Sequence, residues 1–96
     1  MYEIEFSNSF KKDYKRVKKR GYNLPLLLEV FSQLIEEGYV DCVYRPHKLV
    51  GNYAGCWECH IKPDWLLIWK IDENSKLITL VATGTHSDLF TPRVRR

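Results

Sequence analysis

The sequence predicts an α+β fold: an N-terminal strand and a two-helix hairpin packed on an antiparallel β-sheet. Three observations carry this. Apolar residues recur at helical spacing over residues 10–34. Later stretches rich in β-branched and aromatic residues read as strands, and a segment broken by Pro46, Gly51 and Gly55 separates the two regimes.

Residues 2–6, Tyr-Glu-Ile-Glu-Phe, alternate apolar and acidic like a short strand with one buried face, and Ser7, Asn8 and Ser9 punctuate it. Phe10, Tyr14 and Val17 then recur about one turn apart. Lys11, Lys12, Lys15, Lys18 and Lys19 fill the intervening positions, giving a basic amphipathic helix that stops at Gly21. Asn23 can cap a second helix with Pro25 near its start, Leu27, Val30, Phe31 and Leu34 as its buried stripe and Gly38 as its stop. Glu36 and Glu37 in its last turn oppose the helix dipole, and the basic first helix offers them a counter-charge. Residues 39–55 read as loop. Strands follow at 56–62, 65–71 and 76–83, separated by Pro63-Asp64 and by Asp72-Glu73-Asn74-Ser75, and pair most simply as an antiparallel meander. The run Trp-Leu-Leu-Ile-Trp-Lys-Ile is apolar on both faces, which places it centrally with helices covering one side. Residues 1–90 make a single domain, and 91–96 a basic C-terminal tail carrying Arg93, Arg95 and Arg96.

With 96 residues, 45% hydrophobic and 28% charged, the chain has one modest core, which excludes a multidomain enzyme and a disordered or fibrous chain. No stretch approaches the roughly 20 apolar residues of a membrane span. The N-terminal residues lack the apolar centre of a secretory signal, and three cysteines suit free thiols in a reducing compartment, so the expectation is a cytoplasmic protein with no membrane partner. The net charge of +3 is unevenly spread: seven of the fifteen Lys and Arg fall within residues 11–20, opposed there only by Asp13. RNA and an acidic protein both suit such a surface, as does plain solvation of a helix face.

The chemistry-bearing residues lie in the second half. Alternation along 56–62 puts Cys56, Glu58, His60 and Lys62 on one face and Trp57, Cys59 and Ile61 on the other. His60 then faces the open side of the sheet, where His47 from the loop and His86 from the segment after the last strand can converge on it, with Asp64 close by. Histidines suit RNA scission, in which one group takes the 2′-hydroxyl proton while another protonates the departing 5′-oxygen near neutral pH. Lys48 and Lys62 are candidates to neutralise the phosphate. Trp65, Tyr53 and Phe90 can stack on a splayed base, and core packing competes for Trp65. This chemistry needs no metal and no cofactor. Cys56-Trp57-Glu58-Cys59-His60 does have the spacing of a haem attachment site, and Cys42, His47, Cys56 and Cys59 are imaginable zinc ligands. In a strand, however, cysteines three apart point to opposite faces and cannot share one ion or one haem.

Three ordered blocks give the sequence a resemblance: His47-Lys48-Leu49-Val50-Gly51, Cys59-His60-Ile61-Lys62-Pro63-Asp64-Trp65-Leu66-Leu67-Ile68, and Thr83-Gly84-Thr85-His86-Ser87-Asp88-Leu89-Phe90. The chain resembles the RelE/ParE-type toxins of bacterial toxin-antitoxin modules, and among them the YafQ-like branch. The resemblance implies the same fold and an endoribonuclease that cuts mRNA on the ribosome until a cognate antitoxin, small and acidic, holds it inactive. It also implies catalytic roles for His47, His60, Asp64 and His86, with His86 the first choice as general acid, His60 or His47 as base and Asp64 orienting. An aromatic at the Phe90 position belongs to the same pattern. Tyr53 and Trp57 stand where the family often carries a tryptophan and an arginine, so a phosphate or partner contact is lost at Trp57. The alternative is a ParE-like toxin or antitoxin-bound regulator that acts by binding without cutting RNA, and the histidine set counts against it.

Overall fold

Local chemistry explains the first half of the computed structural model, which describes residues 1–90; the expected basic tail at 91–96 lies outside the described residues. Ser7 separates strand β1 (Glu3–Phe6) from helix α1 (Asn8–Lys19), its Oγ accepting the Phe10 N–H at 3.0 Å as an N-cap. Helix α2 (Leu24–Glu37) carries Pro25 in its first turn and ends on Gly38 at φ 70°. A side chain at 38 is excluded twice, by the left-handed backbone and because its Cβ would run into the Tyr2 ring.

The helices pair as a hairpin, with Phe31 of α2 packed 6.2 Å from Phe10 of α1 between ring centroids. That geometry corrects the expected pairing of Glu36 and Glu37 with the basic helix, since no such ion pair forms among the described residues. Phe31 already lies level with the start of α1, so the last turn of α2 runs past it to Tyr2, whose N–H donates to the Ile35 carbonyl at 2.7 Å, whereas Arg16 and Arg20 sit at the far end of α1. They turn elsewhere: Arg16 to Asp13 at 2.9 Å and to Asp88 at 3.8 Å, and Arg20 to Asp88 at 2.7 Å.

The second half supplies strands β3 (Trp57–Lys62), β4 (Trp65–Asp72) and β5 (Leu77–Gly84) as the expected antiparallel meander, with β4 central. β1 and a two-residue strand, β2 (His47–Lys48), extend the sheet to the order β1-β5-β4-β3-β2. β1 pairs in parallel with β5, from Glu3 opposite Leu77 to Phe6 opposite Leu80. β2 pairs antiparallel with β3, His47 opposite Glu58 and Lys48 opposite Trp57. The segment read as loop therefore holds this short strand and two 3-10 turns, Cys42–Tyr44 and Gly51–Tyr53. A five-residue helix, α3 (His86–Phe90), follows β5.

One face of the sheet builds the core: Cys59, Ile61, Trp65, Leu67, Trp69, Ile78 and Leu80 pack with Phe10, Leu27, Val30 and Leu34 of the helices. The other face buries Leu66 and Ile68, which lie opposite His60 and Glu58 in the ladder. The two-sided apolarity of β4 thus serves the core on one side and the floor beneath the histidines on the other. No helix among the described residues is long and apolar enough to cross a membrane.

Candidate functional site

His60 and Glu58 point to the same face of β3, as period-two alternation requires, and β2 delivers His47 directly opposite Glu58. Glu58 is 4% exposed. Its Oε1 lies 3.1 Å from His47 Nε2 and 3.7 Å from His60 Nε2, while Oε2 and His60 Nδ1 are buried without a partner. His47 Nδ1 is 3.1 Å from the Arg45 carbonyl, so both of its ring nitrogens face acceptors. Arg45 itself has φ 52° immediately before Pro46, a left-handed conformation that a non-glycine residue ahead of proline adopts only under constraint.

His86 arrives from the other side. The β3–β4 turn presents Asp64, whose Oδ1 accepts both the His86 backbone N–H at 2.8 Å and the ring Nδ1–H at 2.6 Å. These two bonds, the backbone one foremost, hold the Asp64 carboxyl below its usual range. Because a carboxylate only accepts, the proton of neutral His86 sits on Nδ1 and Nε2 keeps its lone pair. The three rings form a row with His60 in the middle, 5.9 Å from His47 and 5.8 Å from His86 between centroids. A register shift in β3 between His60 and Lys62 falls next to the Asp64 turn, where such irregularities re-aim side chains.

The structure therefore brings His47, His60, Asp64 and His86 together and divides the proposed substrate contacts. Phe90 lies 6.4 Å from the His86 ring with Tyr53 edge-on to it at 5.6 Å, and remains 42% exposed, free to stack. Lys62 is exposed between two surface clefts. One, of about 200 Å³, is shared with His60 and Arg45; the other, of about 320 Å³, is shared with Asp64, Tyr22 and Asn23. Lys48 is not brought to the histidines, because it neighbours His47 in a strand and so points the opposite way, its ammonium 5.8 Å from the Trp57 ring. Trp65 goes to the core. It is 3% exposed, with its indole N–H donating to Thr83 Oγ1 at 2.9 Å, which leaves too little ring surface for a base.

Two residues escaped the sequence reading. Glu58 was legible as a neighbour of His60 on its face, but its burial depends on strands paired from a distance. Arg45 gave no signal beyond standing before a proline.

One nitrogen each from His47 and His60 and a Glu58 oxygen lie within 4.8 Å of one another, a set that one metal ion could bridge. The cysteines do not join it. Cys59 is buried on the core face, and desolvation, reinforced by the Glu58 charge, pushes its thiol up to about 12.

Residues 2–91 match the family model described as the bacterial toxin of type II toxin-antitoxin system, YafQ. The mRNA interferase toxin YafQ of Escherichia coli strain K12 is 36% identical over 89 residues, spanning 92% of this chain and 95% of the relative. Among solved structures, the E. coli DinJ-YafQ complex aligns with a TM-score of 0.83 at 35% identity over 94% of this chain and 99% of that one. A metal-bound toxin from Helicobacter pylori aligns at 0.85 and 40% identity over 94% and 100%. The match runs from β1 through α3, so by sequence and by fold alike this chain belongs to the YafQ family of bacterial type II toxin-antitoxin toxins.

Proposed function

We propose that this chain is the toxin of a type II pair and a metal-independent endoribonuclease that cuts mRNA on the ribosome in the cytoplasm. The observation that carries the reading is the histidine row with its outer member, His86, held by Asp64. His60 takes the 2′-hydroxyl proton, the 2′-oxygen attacks phosphorus, and the 5′-oxygen leaves with a proton from His86 Nε2, ending the upstream fragment in a 2′,3′-cyclic phosphate. Protonated His86 is the donor, and Asp64 stabilises its charge and fixes its ring. Glu58 anchors His47 and His60 from below, Lys62 and Arg45 offset phosphate charge, and Phe90 stacks on a base. The mRNA interferase name of the E. coli relative supports the substrate, and its DinJ complex supports a cognate antitoxin, here with an acidic segment suited to the basic α1.

A second reading comes from the His47, Glu58 and His60 spacing together with the metal-bound Helicobacter relative. An ion on those three residues would occupy the lone pairs that proton transfer uses, so the loaded protein would be the inactive form. The test is cleavage of translated message by the purified protein in EDTA, compared with His86→Ala. Cleavage should survive EDTA, be lost in the variant and fall when zinc is added. A nuclease that needs added metal would reverse the two readings, and absence of cleavage with and without ribosomes would favour a toxin that acts by binding.

A further inference from the structure

We propose that Arg20 and Asp88 form a clamp by which the basic helix α1 positions His86. The inference rests on the nuclease reading for its kinetic consequence and on independent geometry for its existence. Helix α3 has five residues and no buried side chain, too little to hold itself in place. Besides the Asp64 bond to the His86 N–H, what holds it is Asp88, whose side chain is 14% exposed. Its Oδ2 accepts from Arg20 Nη1 at 2.7 Å and from the Thr85 N–H at 2.9 Å, and its Oδ1 from Arg20 Nη2 at 3.1 Å. The Asp88 N–H returns a bond to Thr85 Oγ1 at 3.0 Å, a reciprocal cap at the start of α3. Gly84 admits this approach: at φ 152° a Cβ there would sit 2.8 Å from Asp88 Oδ2 and 3.0 Å from its Cβ.

A second tie runs beside the first. Asp13 accepts the Thr83 N–H at 3.1 Å while holding Arg16 at 2.9 Å, so α1 also grips the end of β5. His86 is thereby fixed from two directions, by Asp64 on its ring and by the fork of Arg20 on the backbone behind it. An exposed ion pair of ordinary geometry contributes little, but a guanidinium meeting both oxygens of a mostly buried carboxylate sets direction as well as distance. Arg20 is on this account a positioning residue and not part of the RNA-binding charge of α1.

The experiment compares message cleavage by the full chain with that of Arg20→Ala, Arg20→Lys, Asp88→Ala, Asp88→Asn and the double alanine variant, alongside backbone amide exchange over residues 85–89. Displacement of a reacting group by a fraction of an ångström to an ångström predicts a fall in kcat on the order of 10- to 100-fold in either alanine variant, with KM within about twofold of wild type. The double variant should be no worse than the singles, Arg20→Lys and Asp88→Asn should recover part of the loss, and amide exchange should accelerate in both alanine variants. A raised KM in Arg20→Ala without the same change in Asp88→Ala would overturn the proposal, since Arg20 would then be touching RNA. Unchanged exchange would also overturn it. If wild type fails to cut message, the nuclease reading falls while the exchange data still decide the clamp.

Discussion

Replacing Glu58 with methionine should make the protein more stable and less active at the same time. The carboxylate is nearly fully buried, and its Oε2 has no partner. Leaving a buried polar atom unpaired costs about 1–3 kcal/mol. The opposing losses are the contact with His47, whose side chain is 48% exposed, and the longer 3.7 Å approach to His60, each worth about 0–1 kcal/mol. A thioether of similar length fills the space and asks for no hydrogen bond. The central values differ by a net gain of about 1 kcal/mol, and a domain of this size gains about 4–8 °C in Tm for each kcal/mol. Cleavage should fall on the order of 10²-fold, because His47 loses the acceptor that orients it and His60 loses the negative charge beside its ring. Thermal unfolding followed by circular dichroism at neutral pH in EDTA, with kcat measured on the same preparations, reads both effects. A lower Tm in Glu58→Met would refute the reasoning, since it would mean that Oε2 is matched in solution. An unchanged kcat would remove Glu58 from the site.

Trp65→Phe should cost about 1–2 kcal/mol through loss of the bond to Thr83 while KM for message stays put; a raised KM would return Trp65 to the substrate. Asp88 is held well below its usual range, first by its hydrogen bond to Arg20, so the folded protein binds fewer protons there than the unfolded chain. The resulting stability is fully present above the unfolded carboxylate value of about 3.9 and is lost as pH falls through the lower folded value. Urea unfolding from pH 7 to pH 2 should therefore show a gap between wild type and Asp88→Asn that is constant at neutral pH and shrinks in acid. Neutralising Lys12, Lys15 and Lys19, which share one exposed face of α1, should raise KM and flatten its salt dependence without changing kcat; a fall in kcat alone would deny that face a role in RNA capture.

Elements with a period were readable in the sequence. Phe10, Tyr14 and Val17 announce α1, and the apolar run from Trp65 announces the central strand, because burial imposes those spacings. His60 on the open face followed from alternation alone. What escaped was set by distant partners. A two-residue strand has no period, so β2 and its placement of His47 against Glu58 exist only because β3 lies beside it. Nothing in Tyr-Glu-Ile-Glu-Phe says that its neighbour is β5 or that the pairing is parallel. The expected partnership of Glu36 and Glu37 with α1 failed because charge pattern does not reveal that the last turn of α2 runs past α1 to Tyr2. Lys48 failed because the pattern did not reveal that it shares a strand with His47.

The position of β5 governs when the molecule can become dangerous. It is the last strand to be synthesised, yet it lies between β1 and β4, joining the first-made strand to the rest of the sheet. Until residues 77–84 have left the ribosome, β1 has no strand to pair with and β4 exposes a raw edge. His86 lies two residues beyond β5 in the chain. A copy that stops short of residue 77 therefore has neither a closed sheet nor a complete histidine row.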